Sequence, residues 1–105
     1  MASGLLGKAS LAATTETVLY AVPDNTVAVA TVSLCNTTAA PLTARLAIAN
    51  TTAAGAADYL AYDLSIPGGG FFERGGIALS AGEKIIVRGS AAGLSARAHG
   101  FEEPA

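Results

Sequence analysis

The chain has 105 residues, 51% of them hydrophobic and only 13% charged, with a net charge of -2. That length holds one domain and not two, and the composition is far from the low-hydrophobicity, high-charge signature of disorder. Its six basic residues (Lys8, Arg45, Arg74, Lys84, Arg88, Arg97) are scattered, which excludes the basic stripe needed for nucleic acid and the basic patch of an anionic-membrane binder.

In chain order, residues 1–8 are too short and too weakly apolar for a signal peptide. They read as an arm carrying Leu5 and Leu6, and a further short strand fits residues 9–14. Residues 17–22 read as a strand with Val18, Tyr20 and Val22 on one face, ended by the turn residues Pro23-Asp24-Asn25. Residues 26–35 are rich in Val and Thr and apolar on both faces, the pattern of a strand central in its sheet or covered on both sides. Residues 42–49 place Leu42, Ala44, Leu46 and Ile48 on one face and Thr43 and Arg45 on the other. The small, polar stretch 50–57 reads as a loop, with room for a short helical turn.

Residues 59–66 alternate, with Leu60, Tyr62, Leu64 and Ile66 expected inside and Tyr59, Asp63 and Ser65 outside. Pro67-Gly68-Gly69-Gly70 breaks the chain. Residues 71–79 form the next strand, with a bulge expected at Gly75-Gly76. The turn Ser80-Ala81-Gly82-Glu83 leads to residues 84–88, where Ile85 and Val87 face in. Residues 94–101 close the domain, Leu94, Ala96 and Ala98 alternating with Ser95, Arg97, His99 and Phe101. Many short strands at this spacing, with no helical periodicity, give an all-β class. The expected architecture is a seven- to eight-stranded β-sandwich or jelly roll over residues 9–101, between the arm 1–8 and a tail 102–105.

Chemistry is scarce. His99 is the single histidine and Cys35 the single cysteine, so no intrachain disulfide and no Cys-based metal cluster can form, as befits a reducing compartment. His99 has no nucleophile elbow in its surroundings and reads as an outward or interface residue. The acids lack calcium-loop spacing. Asp63, Glu73 and Glu83 are the acids open to cross-strand pairing as a carboxylate pair, and solvated strand acids are the simpler reading. Gly68-Gly69-Gly70 leads into Phe71-Phe72-Glu73-Arg74 rather than into a helix, so it is no phosphate loop. Phe71 and Phe72 point to opposite faces of a strand, one to the core and one outward as an interface anchor. Cys35 reads as a buried structural thiol. Asn36-Thr37-Thr38 and Asn50-Thr51-Thr52 match the glycosylation sequon but read as turn chemistry. No catalytic, cofactor or metal residue is expected. Leu5, Leu6, Phe71, Phe72, Arg97, His99 and Phe101 are the candidate interface.

Residues 15–23 (Thr-Glu-Thr-Val-Leu-Tyr-Ala-Val-Pro), 32–36 (Val-Ser-Leu-Cys-Asn) and 58–67 (Asp-Tyr-Leu-Ala-Tyr-Asp-Leu-Ser-Ile-Pro), followed by 76–79, 84–88 and 94–102, carry a likeness across nearly the whole chain. Their arrangement resembles short virion proteins of tailed bacteriophages, with decoration (cement) proteins and small tail or fibre-attachment β-domains similar in size and style. The resemblance implies a non-enzymatic assembly role in the virion, made in the host bacterial cytoplasm, and carries over no functional residue. The leading expectation is a capsid-decorating homo-oligomer, a trimer first, that bridges major capsid proteins without nucleic acid or membrane. The alternative is a tail-, neck- or fibre-associated β-domain with tail proteins as partners. A carbohydrate-binding module stands behind both, because it needs exposed aromatic platforms and this chain has no Trp, three Tyr and three Phe.

Overall fold

A computed structural model of the chain describes residues 3–105. Turn residues divide them into β1 (Ser3–Ser10), β2 (Thr17–Ala21), β3 (Thr26–Asn36), β4 (Leu42–Ala49), β5 (Tyr59–Ile66), β6 (Phe71–Leu79), β7 (Lys84–Gly89) and β8 (Leu94–Pro104). Among the described residues there is no helix, so none is long and apolar enough to cross a membrane.

Two antiparallel sheets form, in the orders β1-β8-β3-β6 and β2-β7-β4-β5. The pairs β1–β8, β2–β7, β3–β6 and β4–β5 are those of one long hairpin. The further pairings β3–β8 and β4–β7 roll that hairpin onto itself. Every connection except β4–β5 therefore crosses between sheets, which is the eight-stranded jelly roll. The Cα radius of gyration, 13.1 Å, matches the roughly 13 Å of one domain of this length.

The core lies between the sheets. Ala28, Ala30, Val32 and Leu34 of β3 and Leu94, Ala96 and Ala98 of β8 face Ala44 and Leu46 of β4 and Ile85 and Val87 of β7. Burial of Val, Leu and Ile side chains such as these stabilises the fold by about 1.5–3 kcal/mol each.

Both chain ends differ from the arm and tail expected for them. Residues 1 and 2, the start of the predicted arm, lie outside the described residues; Ser3–Lys8 belong to β1, paired with β8 from Ser3↔Phe101 to Ser10↔Ser95. Residues 102–104 continue β8 alongside β3 as far as Thr26↔Pro104. The strand expected over 9–14 resolves into the end of β1 and a single parallel bridge, Ala13↔Gly89. Gly7 makes β1 possible: a Cβ there would lie 2.0 Å from the Leu19 carbonyl oxygen, so only glycine lets β1 close on β2.

Register breaks fall on the edge strands alone. Leu6 is the extra residue in β1, Leu19 in β2, and both Leu60 and one of Tyr62 and Asp63 in β5; in β6, Gly75 and Gly76 together oppose Thr31. The central pairings β3–β8 and β4–β7 are unbroken. The glycine bulge is where the sequence places it, with Gly76 at φ +68°. The other bulges shift the period-2 alternation by one and correct the expected faces. Leu19 and Tyr20 both turn inward while Val18 is exposed. In β5, Ala61 and Ile66 pack on the core and half-buried Leu64 lies across from buried Ala44, whereas Leu60 and Tyr62 are exposed. Asp63 sits in the left-handed region at φ +51°, which Asp tolerates better than most residues.

Asn36 is 0% exposed and fully bonded. Its Nδ2 donates to the carbonyls of Ala40 (2.8 Å) and Ile66 (3.0 Å), and its Oδ1 accepts from Thr38 N–H (3.0 Å) and the Thr38 hydroxyl (2.7 Å). Its backbone N–H donates to Gly70, fixing the 67–70 turn. The turn reading of this sequon holds. Tyr20 of β2 donates to the Glu102 carboxylate of β8, one tie between the two sheets.

Candidate interaction face

The outer faces of the two sheets differ. On the β2-β7-β4-β5 sheet, Ala54 of the 50–58 connection and Tyr59 cover Ala47, Ala49 and Ile86. That connection is anchored where Ala54 N–H donates to Glu16 (3.2 Å) and Lys84 Nζ donates to the Asn50 carbonyl (3.1 Å). Among the described residues, no segment covers the β1-β8-β3-β6 sheet in this way.

The register sets out that open face in rows across the strands. One row is Ser10, Ser95, Cys35, Phe71; the next is Lys8, Arg97, Ser33, Glu73; then Leu5, His99, Thr31; then Ser3, Phe101, Val29, Ala78; and last Glu103 with Val27. Phe71 is 73% exposed, Phe101 46%, Leu5 45%, and Val27 and Val29 38% each. Leu5, Phe101, Val29 and Val27 are neighbours, so they form one apolar end to the face. Lys8 and Arg97 make a basic centre, opposed directly across β1 and β8. Glu73 accepts from the Ser33 hydroxyl (2.9 Å), and Phe71 stands at the far corner.

Of the candidate interface residues, Leu5, Phe71, Arg97, His99 and Phe101 therefore share this face. Leu6 and Phe72 do not: both are partly buried against the core. Leu6 and Phe72 each point to the face opposite their exposed neighbours Leu5 and Phe71, and the bulge then keeps Gly7 on the inner side with Leu6. Cys35 corrects the buried-thiol reading, since it is exposed on the outer side of β3. β3, apolar on both faces, is central in its sheet as its pattern implies, and its outer residues Val27 and Val29 are open.

The acids weighed as a catalytic pair are held apart. Asp63 is bound by Arg45, Glu73 by Ser33, and Glu83 accepts the Ser80 N–H (2.7 Å). The Arg45 guanidinium, hydrogen-bonded to Asp63, keeps that carboxyl below its ordinary range. Burial, followed by the hydrogen bond to Glu102 and its charge, pushes the Tyr20 hydroxyl well above its ordinary value. Among the described residues, no three His, Cys, Asp or Glu side chains gather where a metal ion could be held. No protein-family model, curated protein or solved structure matches the chain.

Proposed function

We propose that the chain is a non-enzymatic structural subunit of a tailed-bacteriophage particle, a capsid-decorating protein. It seats the outer face of the β1-β8-β3-β6 sheet on the major capsid protein and bridges neighbouring copies. The observation that carries this reading is the apolar end of that face, Leu5, Val27, Val29 and Phe101, left open on a domain with only 13% charged residues. Contiguous exposed apolar surface on a small domain marks a contact surface.

The edges support contact through a face. Each edge strand carries a bulge, and bulged edges resist addition of a further strand. The jelly roll serves viral capsid domains among several other roles, a fold-level analogy. Deleting the protein from its phage should leave heads that lose their contents at lower temperature than complete heads. Heads of unchanged heat resistance, with the protein found only on tails, would overturn the reading in favour of the tail-associated alternative.

A further inference from the structure

The opposite face of the molecule holds a second feature, built from residues that the docking face does not use. In the β4–β7 pairing Arg45 lies directly across from Arg88. Like charges in directly opposed cross-strand positions destabilise a sheet unless something neutralises them. Asp63 supplies one negative charge, and Arg45 engages it with both Nε (2.7 Å) and Nη2 (3.3 Å). The other side of the Arg45 guanidinium rests on Tyr62, 4.1 Å from the ring centroid, and Tyr62 is braced edge-on by Tyr59 at 4.8 Å. Arg45 is therefore fixed and neutralised.

Arg88 is not. Among the described residues it makes no hydrogen bond or ion pair, and only its charge reaches Asp63, so the pair of arginines with one Asp leaves a net positive charge. That charge borders a cavity of about 100 Å³ whose wall also holds Arg45, the Asp63 carboxylate, Thr14, Thr43, Gly89 and Ser90. The space is large enough to take one phosphate or carboxylate group. Its walls are tied together. Ser90 N–H donates to the Thr43 carbonyl (2.9 Å), Thr43 N–H donates to the Ser90 hydroxyl oxygen (3.0 Å), and Thr14 N–H donates to the Gly89 carbonyl (2.8 Å). Because Ser90 Oγ accepts from the backbone, its own proton is left to donate outward. Asp63, in the same wall, has each carboxylate oxygen on Arg45, and the groups not so engaged, Arg88 and the Ser90 and Thr43 hydroxyls, are donors that match an anion.

We infer that this pocket binds a single oxyanion group, a carboxylate or a phosphate, with Arg88 as the counter-charge and the Ser90 and Thr43 hydroxyls as neutral donors. Guanidinium recognises both groups through charge-assisted hydrogen bonds. The inference is independent of the phage reading.

The test is a titration of ¹⁵N-labelled protein with inorganic phosphate and, separately, with acetate, at low ionic strength so that screening stays weak. Saturable shifts confined to the amides of Thr14, Thr43, Gly89 and Ser90, with half-saturation in the millimolar range, are expected for at least one anion. Tighter acetate binding assigns the site to carboxylates, tighter phosphate binding to phosphoryl groups. Arg88→Gln should weaken binding by about tenfold or more, equal to about 1.4 kcal/mol, while its remaining amide spectrum superimposes on wild type. Arg97→Gln, on the other sheet, should bind as wild type does. Shifts that fail to saturate in the millimolar range with either anion, or that survive Arg88→Gln unchanged, overturn the assignment.

Discussion

Replacing Asn36 by Ala removes the side chain that joins the end of β3 to the connection before β4 and to the last carbonyl of β5. Four side-chain hydrogen bonds are lost, at 2.7–3.0 Å. At about 0.5–1.5 kcal/mol net each, their sum spans roughly 2–6 kcal/mol. The bond to Ile66 is buried, so its carbonyl is left without a partner, which costs about 1–3 kcal/mol. The other partners are only partly buried and recover water. A loss of about 3–4 kcal/mol is therefore expected, a large share of the roughly 5–15 kcal/mol that holds a domain folded. Urea unfolding should show a lower midpoint at unchanged slope.

Asn36→Asp sharpens the test. It keeps the acceptor for Thr38 but turns a carboxyl oxygen toward two carbonyls, so the neutral form is favoured in the fold and the folded pKa is raised. Such a group destabilises least below the unfolded-state value of about 3.9, and increasingly as pH rises above it. The Asp variant should thus lie closer to wild type at pH 4 than at pH 8. A loss under about 1 kcal/mol for Asn36→Ala, or an Asp variant indifferent to pH, would refute the account of this node.

The tie between sheets predicts that Tyr20→Phe loses about 1–3 kcal/mol by urea unfolding. Because the Tyr20 hydroxyl titrates well above its ordinary value, its contribution is complete below about pH 10 and is lost only as pH climbs further; the deficit should be constant from pH 6 to 9. Asp63 has a lowered pKa, so its contribution is present above about pH 3.9 and fades as pH falls through its folded value. Thermal melts of Asp63→Asn and wild type, separated at pH 7, should converge toward pH 2. Gly7→Val drives a side chain into the Leu19 backbone and should cost about 1–3 kcal/mol, read by the same unfolding assay; an unchanged midpoint would mean that β1 does not close on β2.

The existence of β2 to β8 was legible in the residues, because Pro23, the glycines after Pro67 and the Ser80–Glu83 turn punctuate runs of Val, Ile and Leu; β1, read as an arm over residues 1–8, was not. What alternation alone misjudged falls mainly on the edges. Leu6, Leu19 and Leu60 are extra residues in β1, β2 and β5, and none is a glycine or proline that would mark a bulge. Each reverses the faces beyond it, which is why Gly7 stays on the inner side with Leu6 and Tyr62 turns out. On β3 no bulge intervenes, and its two apolar faces marked a strand central in its sheet, which it is. Arg45 and Arg88 are far apart in sequence, and only the β4–β7 register brings them face to face. Hairpin-pair register across a rolled fold leaves no local signal, so that pocket was hidden where the Phe71/Phe72 split was not.

The account rests on the outer face of the β1-β8-β3-β6 sheet, and one binding measurement addresses it. Phage heads lacking the protein are mixed with purified wild type, with a Val29→Asp, Phe101→Asp double variant, or with Tyr62→Asp on the opposite sheet. Wild type and Tyr62→Asp should bind heads alike. The double variant should keep its unfolding free energy within about 1 kcal/mol, since both side chains are solvent-facing, yet bind at least about a hundredfold more weakly, two charges having entered an apolar contact. Equal binding by the double variant, or no binding of wild type to heads, would contradict the account.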